Sequence, residues 1–293
     1  MKILNIYKSI GVVALAATLL VSCSELEFDI PVESEVALTN GSADFSNYVA
    51  IGASFSAGVS DGTLFRESQN NSFPNSLASA FANAGGGEFR QPLVNDNVGG
   101  LLLGGVQIAG PRLYFDGAGL SVLDRTPSTE VSDLLTGPFN NMGVGGAKSF
   151  HFLAPGYGNL AGVPLGQANP YFARMASSPN ATVLEDAVSQ NPTFFTISVM
   201  GGNDVLGYAT SGGSGEDQTG NFDPSSYGGS DITDPNVFAN AATAMVTALT
   251  ANGAQGVLSN VPYVTDLPYF TTVPYNAVPL DAATAGLLNG GFA

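Results

Sequence analysis

Short apolar runs alternate with longer segments of helical spacing along most of this chain, and the alternation predicts its architecture. Asn47-Tyr48-Val49-Ala50-Ile51-Gly52 is a β-branched, apolar run closed by glycine, which predicts a buried strand. Residues 72–84 follow with Phe73, Leu77, Ala80 and Phe81 at helical spacing, Pro74 near the start and three glycines after the end. Residues 182–190 have the same helical character. Residues 192–200 then read as a central strand running into Gly201-Gly202. Val237, Phe238, Ala241, Met245, Val246 and Leu249 define an amphipathic helix over 235–252, closed near Gly253. Residues 255–262 form another apolar strand. Strands alternating with helices predict an α/β fold: a three-layer α/β/α sandwich around a central parallel sheet, with function gathered at the carboxyl ends of the strands.

Two segments break the alternation. Residues 88–138 are glycine-rich with apolar patches at Leu101-Leu102-Leu103 and Leu113-Tyr114-Phe115, and read as an insertion of irregular structure or a small hairpin. Residues 207–234, rich in Gly, Ser and Asp, read as a surface loop.

The amino-terminal pattern is of a different kind. Lys2 and Lys8 precede an apolar run from Ile10 to Val21, too short at 1.5 Å per residue to span a bilayer core of about 30 Å. Residues 1–22 therefore read as a signal peptide. The run ends in Leu20-Val21-Ser22-Cys23, which resembles a bacterial lipobox, and the chain's single cysteine stands where that motif requires it. Cys23 is the expected lipidation site and the first mature residue. Residues 23–43 are the expected tether, with 44–293 as the domain. Ser24-Glu25-Leu26-Glu27-Phe28-Asp29 resembles the surface-export signal of Bacteroidetes-type lipoproteins. The expected location is outside the cell, held by lipid to the outer membrane or cell surface.

Composition narrows the function classes. With 44% hydrophobic and 11% charged residues, the chain carries enough apolar surface for a sizeable core and is not a disordered sequence. The formal net charge of -16 repels phosphate backbones, so nucleic acid is not an expected partner. One cysteine excludes an internal disulfide.

Three motifs carry candidate chemistry. Gly52-Ala53-Ser54-Phe55-Ser56-Ala57-Gly58 places Ser54 at a strand-to-helix turn, without the Gly-x-Ser-x-Gly spacing of a nucleophile elbow. Asn141-Met142-Gly143-Val144-Gly145-Gly146-Ala147 allows a backbone to approach a ligand closely, and lacks the lysine placement of a phosphate-binding loop. Gly201-Gly202-Asn203-Asp204 follows the strongest strand and offers an uncharged amide donor, suited to an oxyanion that forms only during reaction. Taken singly, each also reads as ordinary turn or cap chemistry.

In this order the motifs resemble the GDSL/SGNH family of lipases and esterases, bacterial lipoprotein branch, over most of the chain from Asp44 to about Asp281. The resemblance implies a flavodoxin-like fold and a serine-type carboxylic-ester hydrolase. Ser54 matches the nucleophile; its own N–H, the N–H of Gly146 and the side-chain amide of Asn203 match the oxyanion hole. The implied reaction passes through an acyl-serine that water releases, with neither metal nor organic cofactor. The implied substrate is an ester of a lipid or an acylated carbohydrate. Late aromatics Tyr269, Phe270 and Tyr275, with the insertion, are candidates for an acyl pocket or for core.

The chain departs from the family at two places. Ala53 stands where the family has Asp, which puts the local turn geometry in question. The family's carboxyl-terminal Asp-x-x-His block is absent, and the sole histidine is His151. Its flanks, Phe150 and Phe152, suggest a packed residue on a helix after the second motif; the rival reading makes it a substitute base. The chain's last residues show no closing helix, so the expectation is an amino-terminal fragment of the active enzyme, inactive without its histidine. The alternative is a catalytically dead surface lipoprotein that binds glycan or lipid.

Overall fold

The computed structural model describes residues 38–198, 200–273 and 278–292. The signal peptide, Cys23, most of the expected tether and Tyr275 lie outside the described residues.

The first strand, β1 (Tyr48–Gly52), runs into a four-residue helix, α1 (Ser54–Ala57). After α2 (Arg66–Asn70) and α3 (Phe73–Ala82) the insertion forms two small hairpins, β2 (Leu101–Leu103) with β3 (Val106–Ala109) and β4 (Leu113–Phe115) with β5 (Leu120–Val122). The chain re-enters the fold at β6 (Asn141–Gly143) and continues through α4 (Pro170–Met175) and α5 (Val183–Val188) into β7 (Phe194–Ser198). Then come α6 (Gly202–Ala209), α7 (Pro235–Thr250), β8 (Gln255–Leu258), α8 (Pro268–Thr271) and α9 (Ala282–Phe292).

Strands β6, β1, β7 and β8 form one parallel sheet in that order. From β1 the chain crosses to one side, to β6, and then returns past β1 to β7. That reversal is the switch point at which open α/β sheets place their ligand crevice. Alternation decides the two faces. Val49, Ile51, Phe195 and Ile197 point to one side and pack with Phe172, Val183, Leu184, Met245 and Leu249 from α4, α5 and α7. Tyr48, Ala50 and Phe194 point to the other and pack with Ala78, Leu77 and Phe81 of α3. Each large apolar side chain so buried contributes about 1.5–3 kcal/mol. The fold is thus mixed α/β, a parallel four-stranded sheet flanked by helices, compatible with a three-layer sandwich.

Local signals account for the element ends. Thr182 accepts the Glu185 N–H while Glu185 accepts the Thr182 N–H, a reciprocal cap that starts α5. Asp234 accepts the N–H groups of Asn236 and Val237 and starts α7, with Pro235 in its first turn.

Several expectations need correction. The apolar strand expected over 255–262 ends at Leu258 and forms an edge of the sheet: all four residues are exposed, Val257 at 55%. Residues 207–209 belong to α6, and the rest of the 207–234 segment is organised around acidic side chains. Asp231 accepts from Glu216, Gln218 and Gly228, and Asp234 accepts from Gly220. Residues 282–292 are helical where no closing helix was expected; that helix is exposed along nearly its whole length. Tyr269 and Phe270 pack edge to face on each other at 5.0 Å, and Tyr269 is 70% exposed, so it is not core.

Candidate functional site

The sheet places the three motifs at the carboxyl ends of β1, β6 and β7. Ser54 is the first residue of α1, so its N–H belongs to the donors that a first turn leaves without an intrahelical acceptor. Ala53 caps nothing with its side chain, yet the turn closes through backbone bonds: Ala57 N–H to the Ala53 carbonyl at 3.0 Å and Gly58 N–H to the Ser54 carbonyl at 3.1 Å. The turn therefore survives the absence of an aspartate there.

Close backbone approach holds α1 in place. A Cβ on Gly143 would come within 2.7 Å of the Ser56 carbonyl carbon and 2.8 Å of the Ala57 Cα, both backbone atoms. Only glycine lets β6 lie that near the turn. Polar anchors add to this contact. The Asn141 amide donates to the Ser56 carbonyl at 2.9 Å, and the buried Ser56 hydroxyl is hydrogen-bonded to that of Ser198 at the end of β7. Sequence reasoning assigned no role to Ser56 and Ser198, since serines ending apolar runs are common and only the sheet register brings these two together.

The second motif closes over the serine. Gly146 adopts φ +80° and its N–H donates to Ser54 Oγ at 3.2 Å. Among the described residues this N–H is the one hydrogen-bond partner of Ser54 Oγ. Asn203, the second residue of α6, donates its amide to the Ala147 carbonyl at 2.9 Å. Asp204 is buried and accepts from the backbone N–H and the hydroxyl of Ser149, at 2.9 and 2.7 Å. From the other side, the Asn169 amide donates to the Gly145 carbonyl at 2.8 Å. The loop carrying Gly146 is thus held on Gly145, Ala147 and Ser149, so its N–H groups are oriented before any ligand arrives. Ser54, Gly146 and the Asn203 anchor share this one loop.

His151 does not join them. It lies in a 3₁₀ helix (Ser149–Leu153) that follows the second motif, and stacks on Tyr157 with ring centres 4.5 Å apart. Its Nδ1 accepts the Lys148 backbone N–H at 2.9 Å. Burial, with the Lys148 charge adding to it, depresses its pKa to about 4. The imidazole is a packed residue, as its aromatic flanks suggest. The Lys148 ammonium, the cation nearest the glycine loop in sequence, donates to the carbonyls of Gly228 and Asp231 at 3.2 and 2.8 Å.

Two open concavities flank this region. One of about 560 Å³ is lined by Phe55 and Phe73, whose rings stack at 5.4 Å, and by polar residues including Ser60, Glu67 and Asn71. The other, of about 1090 Å³, lies between residues 148–170 and 222–244. In comparisons with protein-family models, curated proteins and solved structures, the chain matches none.

Proposed function

We propose that the protein is a serine-type carboxylic-ester hydrolase with Ser54 as nucleophile. The observation that carries this reading is the Gly146 N–H held 3.2 Å from Ser54 Oγ by a loop fixed on both sides. When Ser54 Oγ adds to an ester carbonyl, negative charge appears on the carbonyl oxygen beside Ser54. The Ser54 N–H, the Gly146 N–H and the Asn203 amide are the donors that would receive it, and donors already oriented need no rearrangement at that moment. Collapse expels the alcohol and leaves an acyl-serine; water then releases the acid and restores Ser54.

The proton leaving Ser54 needs a base. His151 is not that base, because its Nδ1 is committed to Lys148 and its ring is stacked into the wall. The lack of a base contact among the described residues favours a second reading: a surface lipoprotein that keeps the fold and binds glycan or lipid without turning it over.

A fluorophosphonate probe separates the two, applied to the protein expressed from its natural reading frame and read by peptide mass spectrometry. Covalent label on Ser54, with hydrolysis of p-nitrophenyl acetate lost in Ser54→Ala, supports the hydrolase. Asn203→Ala should then lower kcat by roughly 100- to 1,000-fold with the fold intact. An unlabelled Ser54 in folded protein sinks this reading.

A further inference from the structure

The hairpin of β4 and β5 turns its apolar side to solvent. Leu113 pairs with Val122, Tyr114 with Ser121 and Phe115 with Leu120. Side chains alternate along each strand, so Leu113, Phe115, Leu120 and Val122 share one face and Tyr114 and Ser121 the other. A half-buried hairpin ordinarily packs its apolar face on the core. Here Phe115 is 68% exposed, Leu120 77% and Val122 57%, against 39% for Tyr114 on the opposite face. Val106 and Ile108 of β3, in the neighbouring hairpin, are exposed as well.

A two-stranded hairpin alone is marginal in water, yet this one is tied at both ends. At its tip the Asp116 carboxylate accepts the N–H groups of Ala118 and Gly119 at 2.8 and 2.9 Å and the Ser121 hydroxyl at 2.7 Å. At its base the Leu113 N–H donates to the Asp61 carbonyl at 2.8 Å, and Arg112 pairs with the Asp61 carboxylate at 3.5 Å. Arg112 also donates from Nε to the Asn97 carbonyl at 3.0 Å and lies over the Phe65 ring. These anchors fix the ribbon with its apolar face outward.

Charge and area indicate what covers that face. From Val98 to Leu123 the charged residues are Arg112 and Asp116, one of each sign, in a chain of net charge -16. Both are engaged at the base and the tip. A second copy would bring another -16. A face of four side chains also falls well short of the roughly 800 Å² per partner that a stable protein interface buries. A bilayer needs no such area where the domain is already tethered to it, because the tether supplies the effective concentration. Cys23 is the expected lipid anchor, and Thr39 follows it by 16 residues, a contour of at most about 55 Å.

Resting on lipidation at Cys23 and not on the chemistry of Ser54, we propose that the β4–β5 ribbon is a second membrane contact. It lies along the bilayer surface with Phe115, Leu120 and Val122 at the boundary of headgroups and acyl chains. The ribbon does not span the bilayer, since each strand has three residues where a spanning strand needs about 9–11.

The chain contains no tryptophan, so one introduced indole reports its own surroundings. The full chain with its leader, carrying Phe115→Trp, is produced in a Gram-negative host and reconstituted in vesicles of phosphatidylcholine with a minor share of phosphatidylglycerol. There its indole should emit at shorter wavelength than that of Leu165→Trp protein, an exposed position outside the insertion. Brominated phosphatidylcholine should quench it at least about twofold more. Adding Leu120→Asp, cross-strand from position 115 on the exposed face, should remove both differences and leave the fold intact. Equal emission and quenching at the two positions overturns the proposal. So does blue emission that brominated lipid leaves untouched, which marks a protein surface over the ribbon. Mass spectrometry of the Cys23 peptide is read first, and an unacylated cysteine overturns the premise and the proposal with it. Phosphonate labelling of Ser54 bears on none of these outcomes, so the hydrolase and the membrane contact can each fail without the other.

Discussion

The buried carboxylate of Asp204 accepts both the backbone N–H of Ser149, at 2.9 Å, and its hydroxyl, at 2.7 Å. Asn203 beside it holds the Ala147 carbonyl, so adjacent residues of one helix start grip alternate residues of the facing loop. This double grip positions the Gly146 donor without touching it.

Removing the carboxylate should loosen that loop. In Asp204→Ala the Ser149 N–H and hydroxyl lose their acceptor in a buried place, at a cost of about 2–3 kcal/mol, or a fall of roughly 5–10 °C in Tm. Calorimetry checks the stability. A change under about 2 °C would mean that water or a neighbour replaces Asp204 at little cost.

The close approach of β6 to the serine turn gives a second expectation. A methyl group on Gly143 meets the backbone of Ser56 and Ala57, and backbone yields less readily than a side chain. Gly143→Ala should therefore destabilise the fold and displace Ser54, with about a tenfold or greater loss of phosphonate labelling rate. Gly119→Ala, where a Cβ meets nothing within 4 Å, serves as the control and should change neither. Equal labelling rates in the two variants would contradict the packing argument.

The single histidine gives a clean pH test. Its folded pKa of about 4 lies below the ordinary value of 6.5, so the unfolded chain binds the extra proton more readily. The stabilisation is fully present above pH 6.5 and is lost as pH falls through 4. It amounts to about 3 kcal/mol, which His151→Gln should remove from the slope of stability between pH 6.5 and 4. Proton NMR reads the same property directly: the lone imidazole should titrate near pH 4. A midpoint near 6.5 would mean that the ring is solvated and released from Tyr157.

Much of the fold is legible in the chain's own periodicity. The runs ending at Gly52 and near Gly201, the helices at 73–82, 183–188 and 235–250, and the three motif turns all follow from it and from caps such as Thr182 and Asp234, which act over three or four residues. Taken singly the motifs are ordinary turns; it is their joint resemblance to a known family that singles out Ser54, Gly146 and Asn203.

What tertiary structure decided are the relations between positions far apart in sequence. The order β6-β1-β7-β8 brings Ser54 and Gly146 within 3.2 Å across 92 residues, and brings Ser56 to Ser198 across 142. Periodicity carries no information on which strand lies beside which, so these meetings could not be read from it. The same holds for β8, whose apolar pattern suits a covered strand but whose place at the edge leaves it exposed. His151 shows the point most plainly. Along the chain it is one residue with two rival roles, and only the stacking of Tyr157 and the Lys148 N–H at Nδ1 fix it as a neutral wall. Local propensity acts through neighbours in the chain, whereas burial, protonation and reach are set by neighbours in space.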